Sequence, residues 1–108
     1  MIPSSFDLSG RVALVTGAGS DTGIGFAAAR LLAELGARVA VTALSDRVAE
    51  RAAELVAAGH TASGHRADLT DEAQVSALVA DVVARHGRLD IVVNNAGMVS
   101  VGGSSESG

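Results

Sequence analysis

The sequence predicts an α/β fold in which a parallel sheet lies between two layers of helices. Short β-branched runs alternate with longer amphipathic stretches along most of the 108 residues. The core is expected to consist of Ala, Val and Leu, because the chain contains only two Phe and no Tyr or Trp. Small side chains of this kind suit short parallel strands packed closely under helices. A chain of this length forms a single domain.

Four strands are predicted from short runs rich in Val, Ile and Ala. They cover residues 11–16, 38–43, 61–67 and 90–95, and the third is the weakest because Gly64 and two histidines interrupt it. Alternation of strands and helices implies parallel pairing with right-handed crossovers. We therefore expect an open sheet in the order 3-2-1-4, truncated after the fourth strand, with the first two helices on one face and the third on the other.

Three amphipathic helices are predicted: residues 23–35, residues 46–58, and a third that Thr70 caps and Gly87 ends. Their predicted buried faces are Ile24, Ala28, Leu31, Leu32 and Leu35 in the first, Val48, Ala52, Leu55 and Val56 in the second, and Val75, Leu78, Val79 and Val82 in the third. The side chains expected to face solvent are Arg47, Glu50, Arg51 and Glu54 of the second helix, and the three histidines His60, His65 and His86.

The composition excludes several classes of function. The net charge is −4, whereas nucleic-acid binding needs a basic face. The chain has no Cys, which excludes disulfides and thiolate metal sites, and we expect no metal site of another kind. It begins without a secretory signal, and no apolar run reaches the ~20 residues of a membrane helix. We therefore expect a cytoplasmic protein that binds neither nucleic acid nor membrane.

The most informative segment is the glycine loop TGAGSDTGIG at residues 16–25, between the first strand and the first helix. Gly17 allows a sharp turn out of the strand, while Gly23 and Gly25 leave room for a pyrophosphate at the helix N-terminus. A glycine loop can also be merely flexible, but the buried strand before it and the amphipathic helix after it favour a dinucleotide site. An ATPase-type phosphate loop is excluded because it needs a lysine and the chain has none.

Four segments together resemble the short-chain dehydrogenase/reductase family: GRVALVTG, the glycine loop, ADL at 67–69 and NNAG at 94–97. They occur in the family's order and intervals. The resemblance implies a dinucleotide-binding Rossmann-type half-domain over residues 1–97, and the Gly- and Ser-rich residues 98–108 are predicted to be a flexible tail. It also implies hydride transfer between a nicotinamide and an alcohol or carbonyl.

The resemblance assigns cofactor contacts position by position. Those expected to hold the pyrophosphate are Gly17, Thr22, Gly23, Ile24 and Gly25. Asp68, with Leu69 beside it, is expected to meet the adenine amino group. Those expected near the ribose, holding the fourth strand to the first, are Asn95, Ala96 and Gly97. The alternatives are that Asp68 only caps the next helix and that the asparagines only form a turn.

Two features depart from the family pattern. Gly17 and Gly23 enclose five residues, a longer spacing that resembles the enoyl-reductase branch, although NNAG indicates the main branch. The enlarged loop includes Asp21, whose charge is unfavourable near a phosphate unless the side chain points to solvent or caps the helix.

The second departure is at the end of the second strand. Thr42, Ala43 and Leu44, with Ser45 next, stand where an NAD enzyme usually has Asp or Glu. With no carboxylate to repel a 2′-phosphate, we favour NADP(H) over NAD(H), and name Thr42 and Ser45 as candidate contacts, with Arg47 a further possible contact of the phosphate.

No catalytic residue is assigned, because the family's serine and its Tyr-x-x-x-Lys pair have no counterpart here: the chain contains neither Tyr nor Lys. The leading hypothesis is the cofactor-binding fragment of an NAD(P)-dependent oxidoreductase, inactive alone, whose parent acts on an alcohol or carbonyl and forms a homo-oligomer. The alternatives are a non-catalytic nucleotide-binding module and a non-functional remnant. The open fourth strand, with Ile91, Val92 and Val93, is expected to make the isolated chain unstable or self-associating.

Overall fold

A computed structural model describes residues 7–17 and 23–94 of the chain. Strands and helices alternate along it in the order β1 (Val12–Thr16), α1 (Ile24–Glu34), β2 (Arg38–Ala43), α2 (Arg47–Ala57), β3 (Ala62–Arg66), α3 (Glu72–His86) and β4 (Ile91–Val93). Every predicted element is present, and most of the bounds differ from the prediction by one or two residues. The predicted tail at 98–108 lies outside the described residues.

The four strands form one parallel sheet in the order β3-β2-β1-β4, as predicted. β1 lies between β2 and β4, and Val15 is in register with Val41 on one side and with Val93 on the other. Parallel strands align their carboxyl ends along one edge of the sheet. The residues that follow β1, β2 and β4 therefore meet at that edge, which is where an open α/β sheet binds its ligand.

The core is divided into two layers by the sheet. Ala13 and Val15 of β1 pack with α1 and α2, whereas Val12 and Leu14 of the same strand pack with α3. All four side chains are buried, as expected for a central parallel strand covered on both faces. The predicted three-layer arrangement is thus confirmed for the described part of the chain.

The predicted buried face of α1 is wrong at two positions, Ile24 and Leu31, whereas Ala28 and Leu32 are half-buried and pack against the core as predicted. Ile24 and Leu31 are 78% and 56% exposed, and the residues that face the sheet are Gly25, Phe26, Ala29 and Ala33. Small side chains let the helix lie close to the sheet, and Phe26 fills the remaining space. The prediction followed the large aliphatic residues, but the closest contact with the sheet is made by small ones.

In α2 the prediction was wrong at two positions. Val56 is exposed, and Arg51, expected to face solvent, is only 8% exposed. The guanidinium of Arg51 pairs with the carboxylates of Glu54 and Glu50 and lies 5.7 Å from the ring centre of Phe26. The long arginine stem can cover apolar surface while its charge remains paired, so a charged residue can occupy a buried position between two helices.

The N-cap of α3 is Asp71 and not Thr70, which corrects the prediction. Asp71 Oδ1 accepts hydrogen bonds from the backbone N–H groups of Ala73 at 2.9 Å and Gln74 at 3.4 Å. The predicted stripe holds at Leu78 and Val82, which are buried; Val75 is half-buried and Val79 is exposed. One turn beyond Val82, His86 extends the buried face.

The histidines also differ from the prediction that all three are solvated. His86 is buried, and His60 and His65 are half-buried. The Nε2 atoms of His65 and His86 each lie 2.8 Å from the hydroxyl oxygen of buried Ser63. A serine hydroxyl can donate to one imidazole and accept from the other, so this network links β3 to the end of α3.

Candidate functional site

The carboxyl ends of β1 and β4 are joined by a side chain that the sequence analysis did not select. Thr16 is buried at the end of β1, and its hydroxyl donates to Asn94 Oδ1 at 3.0 Å and lies 3.4 Å from the Val93 carbonyl oxygen. This contact fixes the first residue of the NNAG segment against the start of the glycine loop. The sequence indicated this contact only indirectly, because the glycine loop follows β1 and the NNAG segment follows the adjacent strand β4.

Gly17 makes the turn that leaves β1. Its φ of +69° lies in the left-handed region that side chains other than glycine rarely adopt. Gly17 therefore has the conformation that was expected of the first glycine in the loop.

The N-terminus of α1 lies at the same edge, and no side chain among residues 7–17 and 23–94 caps it. Gly23 is the N-cap residue, and no acidic residue occupies the first turn. Free N–H groups at a helix start attract anions because of their hydrogen-bonding capacity and the helix dipole. Gly25 is buried and Ile24 projects outward beside it. Of the loop residues, Gly17, Gly23, Ile24 and Gly25 are thus described, whereas Thr22 lies outside the described residues.

The two residues predicted to contact the cofactor at the end of β2, Thr42 and Ser45, lie in different surroundings. Thr42 is fully buried, and its hydroxyl has no hydrogen-bond partner within residues 7–17 and 23–94. Ser45 is exposed, and its hydroxyl accepts a hydrogen bond from the backbone N–H of Arg47 at 3.3 Å. Only Ser45 therefore presents its side chain at the surface, and Thr42 lies inside the sheet.

Asp68 follows β3 and is held in a tight turn. Its Oδ1 accepts hydrogen bonds from the backbone N–H of Thr70 at 2.9 Å and from the Thr70 hydroxyl at 2.6 Å. These two bonds lower the pKa of the Asp68 carboxyl below its usual value, so it is an anion at neutral pH. The backbone N–H of Asp68 donates to Gln74 at 2.8 Å. Asp71 caps α3, so the alternative in which Asp68 is that cap is wrong.

Leu69 is half-buried and packs against the core cluster under α3. The remaining predicted contacts, Asn95, Ala96 and Gly97, lie outside the described residues, as does Asp21. The structure therefore places along one edge of the sheet the start of the glycine loop, the N-terminus of α1, Ser45 and Asp68.

An open apolar groove of about 330 Å³ lies beside β4 on the face covered by α3. It is lined by Leu14, Thr16, Leu69, Val75, Leu78, Val79, Val92 and Asn94. Val92 is 58% exposed, and β4 pairs only with β1 in the described part of the chain. The expectation of an open apolar edge on this face is confirmed for those residues.

The described residues show neither a metal-binding cluster nor a membrane-spanning helix. Across residues 7–17 and 23–94, no three His, Asp or Glu side chains come together as a metal site would require. None of the helices in the described ranges is both long and apolar enough to cross a membrane.

Comparison with known proteins connects this geometry to a family. The sequence profile described as short chain dehydrogenase matches residues 11–107. Cis-4-hydroxycyclohexanecarboxylate dehydrogenase of Sinomonas cyclohexanicum is 49% identical over 88 residues, which cover 82% of this chain and 34% of that protein. The chain spans about a third of the length of the curated relatives it matches.

Solved structures show the same relationship. A metagenomic short-chain oxidoreductase in complex with NADP has a TM-score of 0.77 at 47% identity, over 90% of this chain and 43% of that one. A short chain dehydrogenase from Mycobacterium smegmatis has a TM-score of 0.80 at 35% identity, over 94% of this chain and 42% of that one. With the sheet order, the glycine loop and the profile match in agreement, the chain belongs to the short chain dehydrogenase family.

Proposed function

We propose that this chain is the dinucleotide-binding part of an NAD(P)-dependent oxidoreductase that transfers hydride between a nicotinamide and an alcohol or carbonyl. The observation that carries the proposal is the conformation of Gly23. Its φ of −82° and ψ of 161° are open to any residue, so backbone freedom does not require glycine there. We infer that glycine is used at this position because it leaves room for a pyrophosphate beside the N-terminus of α1.

The residues of this chain would bind and orient the cofactor. Gly17 makes a left-handed turn at the end of β1, and the N–H groups at the start of α1 would neutralise phosphate charge. Asp68, kept anionic by its bonds to Thr70, could accept a hydrogen bond from the adenine amino group. The cofactor, when bound, supplies or accepts the hydride.

The acid/base chemistry of the family has no candidate residues in this sequence. The chain contains no Tyr and no Lys, and it spans about a third of its curated relatives. We therefore propose that the reaction belongs to a longer protein that includes these 108 residues. That protein would act in the cytoplasm as a homo-oligomer on a small alcohol or carbonyl.

NADP(H) is the proposed cofactor in preference to NAD(H). Ala43 is the last residue of β2, and Leu44 and Ser45 follow it, so no carboxylate stands where an NAD enzyme places one for the ribose hydroxyls. One structural relative binds NADP. Ser45 and the backbone at the start of α2 are exposed and polar, which suits an additional phosphate.

Replacement of Gly23 tests the site. We expect Gly23→Val to reduce NADPH affinity at least about tenfold, because its side chain would occupy the space of the pyrophosphate. The measurement is a fluorescence titration with NADPH, with circular dichroism to confirm that the variant folds. Ala53→Val adds bulk on the exposed face of α2 and serves as the control. Wild-type affinity in a folded Gly23→Val protein would refute the assignment.

The alternatives are separated by the same titration combined with a turnover assay. A non-catalytic binding module would bind the nucleotide and turn over no alcohol or carbonyl, even when expressed from the complete reading frame. A remnant would do neither. Binding together with NADPH-dependent carbonyl reduction is the result that the proposal requires.

A further inference from the structure

The register of the sheet places a cation beside the position where an NAD enzyme carries its carboxylate. Arg66, the last residue of β3, is the direct partner of Ala43 at the end of β2. Side chains alternate between the two faces along a strand. Ala43 packs with the core cluster on the face covered by α1 and α2, and the Arg66 side chain reaches Asp46 at the start of α2. The guanidinium therefore lies over the β2–α2 connection.

Two hydrogen bonds hold the guanidinium in that position. Its Nε donates to the Leu44 carbonyl oxygen at 2.9 Å, and Nη1 donates to Asp46 Oδ1 at 3.3 Å. The first bond fixes the orientation of the planar group against the backbone of the connection. An arginine has five N–H donors, and Nη2 of Arg66 has no partner within residues 7–17 and 23–94. The side chain is 65% exposed, so a ligand can reach these donors.

The charge of Arg66 is available for an anion even though Asp46 lies nearby. Asp46 is 89% exposed, and exposed ion pairs of this kind contribute little because water screens them. A phosphate dianion offers more charge and more acceptor oxygens than one carboxylate, and arginine binds phosphate with two parallel hydrogen bonds. Ser45 and the backbone N–H groups at the start of α2 lie in the same connection.

We propose that Arg66 is the specificity-determining residue that binds the 2′-phosphate of NADP(H) at the end of β2. The inference rests on the proposed dinucleotide site and adds to it the residue that selects the cofactor. In this chain the selecting cation comes from β3, across the sheet from Ala43, and Leu44 orients it through its carbonyl oxygen. Asp46 opposes binding of the phosphate by pairing with the same guanidinium.

The test is equilibrium binding to protein expressed from the complete reading frame that contains these 108 residues. NADPH and NADH are titrated by fluorescence, and 2′,5′-ADP and 5′-AMP by calorimetry, so the result does not depend on turnover. We expect wild-type protein to prefer the 2′-phosphorylated ligand of each pair. Arg66→Gln should weaken NADPH and 2′,5′-ADP about tenfold and leave NADH and 5′-AMP within about twofold. Asp46→Asn should strengthen binding of the phosphorylated ligands alone.

Matched arginine variants control for the loss of one positive charge. Arg11 is exposed at the opposite, amino edge of the sheet, so Arg11→Gln should leave all four Kd values unchanged. Arg47→Gln tests the nearest competing cation. The inference is overturned if Arg66→Gln weakens both ligands of a pair equally, if it changes neither, or if Arg47→Gln alone removes the preference. Wild-type protein that binds none of the four ligands refutes the dinucleotide site itself, and the inference with it.

Discussion

At the scale of single residues, the positions that matter most are those where a short polar side chain completes a backbone turn. Asp68 and Asp71 stand three residues apart before α3 and have separate tasks. Asp68 closes the turn at the carboxyl edge of the sheet, and Asp71 caps the helix. The sequence indicated that a cap lies in this region, but Thr70 and Asp71 are both good caps, and only the backbone dihedrals decide which one acts.

Substitution of Asp71 and of Thr70 tests which residue caps α3. Asp71→Ala is expected to lower the free energy of unfolding by about 1 kcal/mol, because two N–H groups at the start of α3 lose their acceptor. Thr70→Ala keeps that acceptor and should have a smaller effect. Urea denaturation of both variants gives the comparison. A larger loss in Thr70→Ala than in Asp71→Ala would contradict the assignment of the cap.

At the scale of elements, the sequence located the helices and strands but misjudged several of the faces they bury. Strand runs and glycine stops are local signals, so the bounds were predictable. Which side of a helix meets the sheet depends on how closely the two can approach. In α1, Ala29 and Ala33 allow a close approach and Leu31 does not, although Leu31 is the more hydrophobic. Arg51 is buried because it pairs with Glu54 and lies beside Phe26 of α1, and the contact with Phe26 has no signal in the local sequence.

The link between β3 and α3 should make stability depend on pH. Burial lowers the pKa values of His65 and His86 below the usual 6.5, and positive neighbours, Arg85 for both and Arg38 for His86, act in the same direction. Asp81 partly offsets the shift at His65. The unfolded chain therefore binds more protons than the folded one just below this value. Stability is fully present above about pH 6.5 and is lost as the pH falls toward the lower folded pKa values.

Thermal melts between pH 8 and pH 5 measure this dependence. The melting temperature should decline below about pH 6.5, and His86→Gln should flatten the decline because it removes one of the two titrating groups. His60, for which the structure shows no hydrogen bond to Ser63, provides the control through His60→Gln. An equally steep decline in the His86→Gln protein would show that the network is not its source.

At the scale of the whole molecule, the sheet has a covered side and an uncovered edge. β1 and β2 are enclosed by helices on both faces, whereas β4 has three residues, one neighbour among the described strands, and an apolar groove beside it. An open parallel edge with exposed aliphatic side chains favours association with other chains. This property follows from the topology, because the same Val-rich run would be enclosed if another strand paired with it.

We therefore expect the isolated 108-residue chain to self-associate, and Val92→Lys to reduce that association. A charge on the exposed side of β4 makes stacking of edges and burial of the groove unfavourable. Sedimentation velocity across a range of concentrations provides the measurement. Leu44→Lys introduces the same charge at an exposed aliphatic residue at the end of β2 and should have no such effect. A monodisperse wild-type monomer with a sharp cooperative melt would disprove the expectation.

The sequence by itself determined the order and type of the elements, the sheet topology and the family. The elements follow from local hydrophobic patterns, and the sheet topology follows from the general right-handedness of βαβ crossovers. Tertiary structure alone decided that Thr16 joins β1 to Asn94, that Thr42 lies inside the sheet, and that Arg66 lies beside Ala43. The two contacts join residues that are 78 and 23 positions apart, and the burial of Thr42 depends on which face of the strand is covered, so all three are decided by the packing of the sheet.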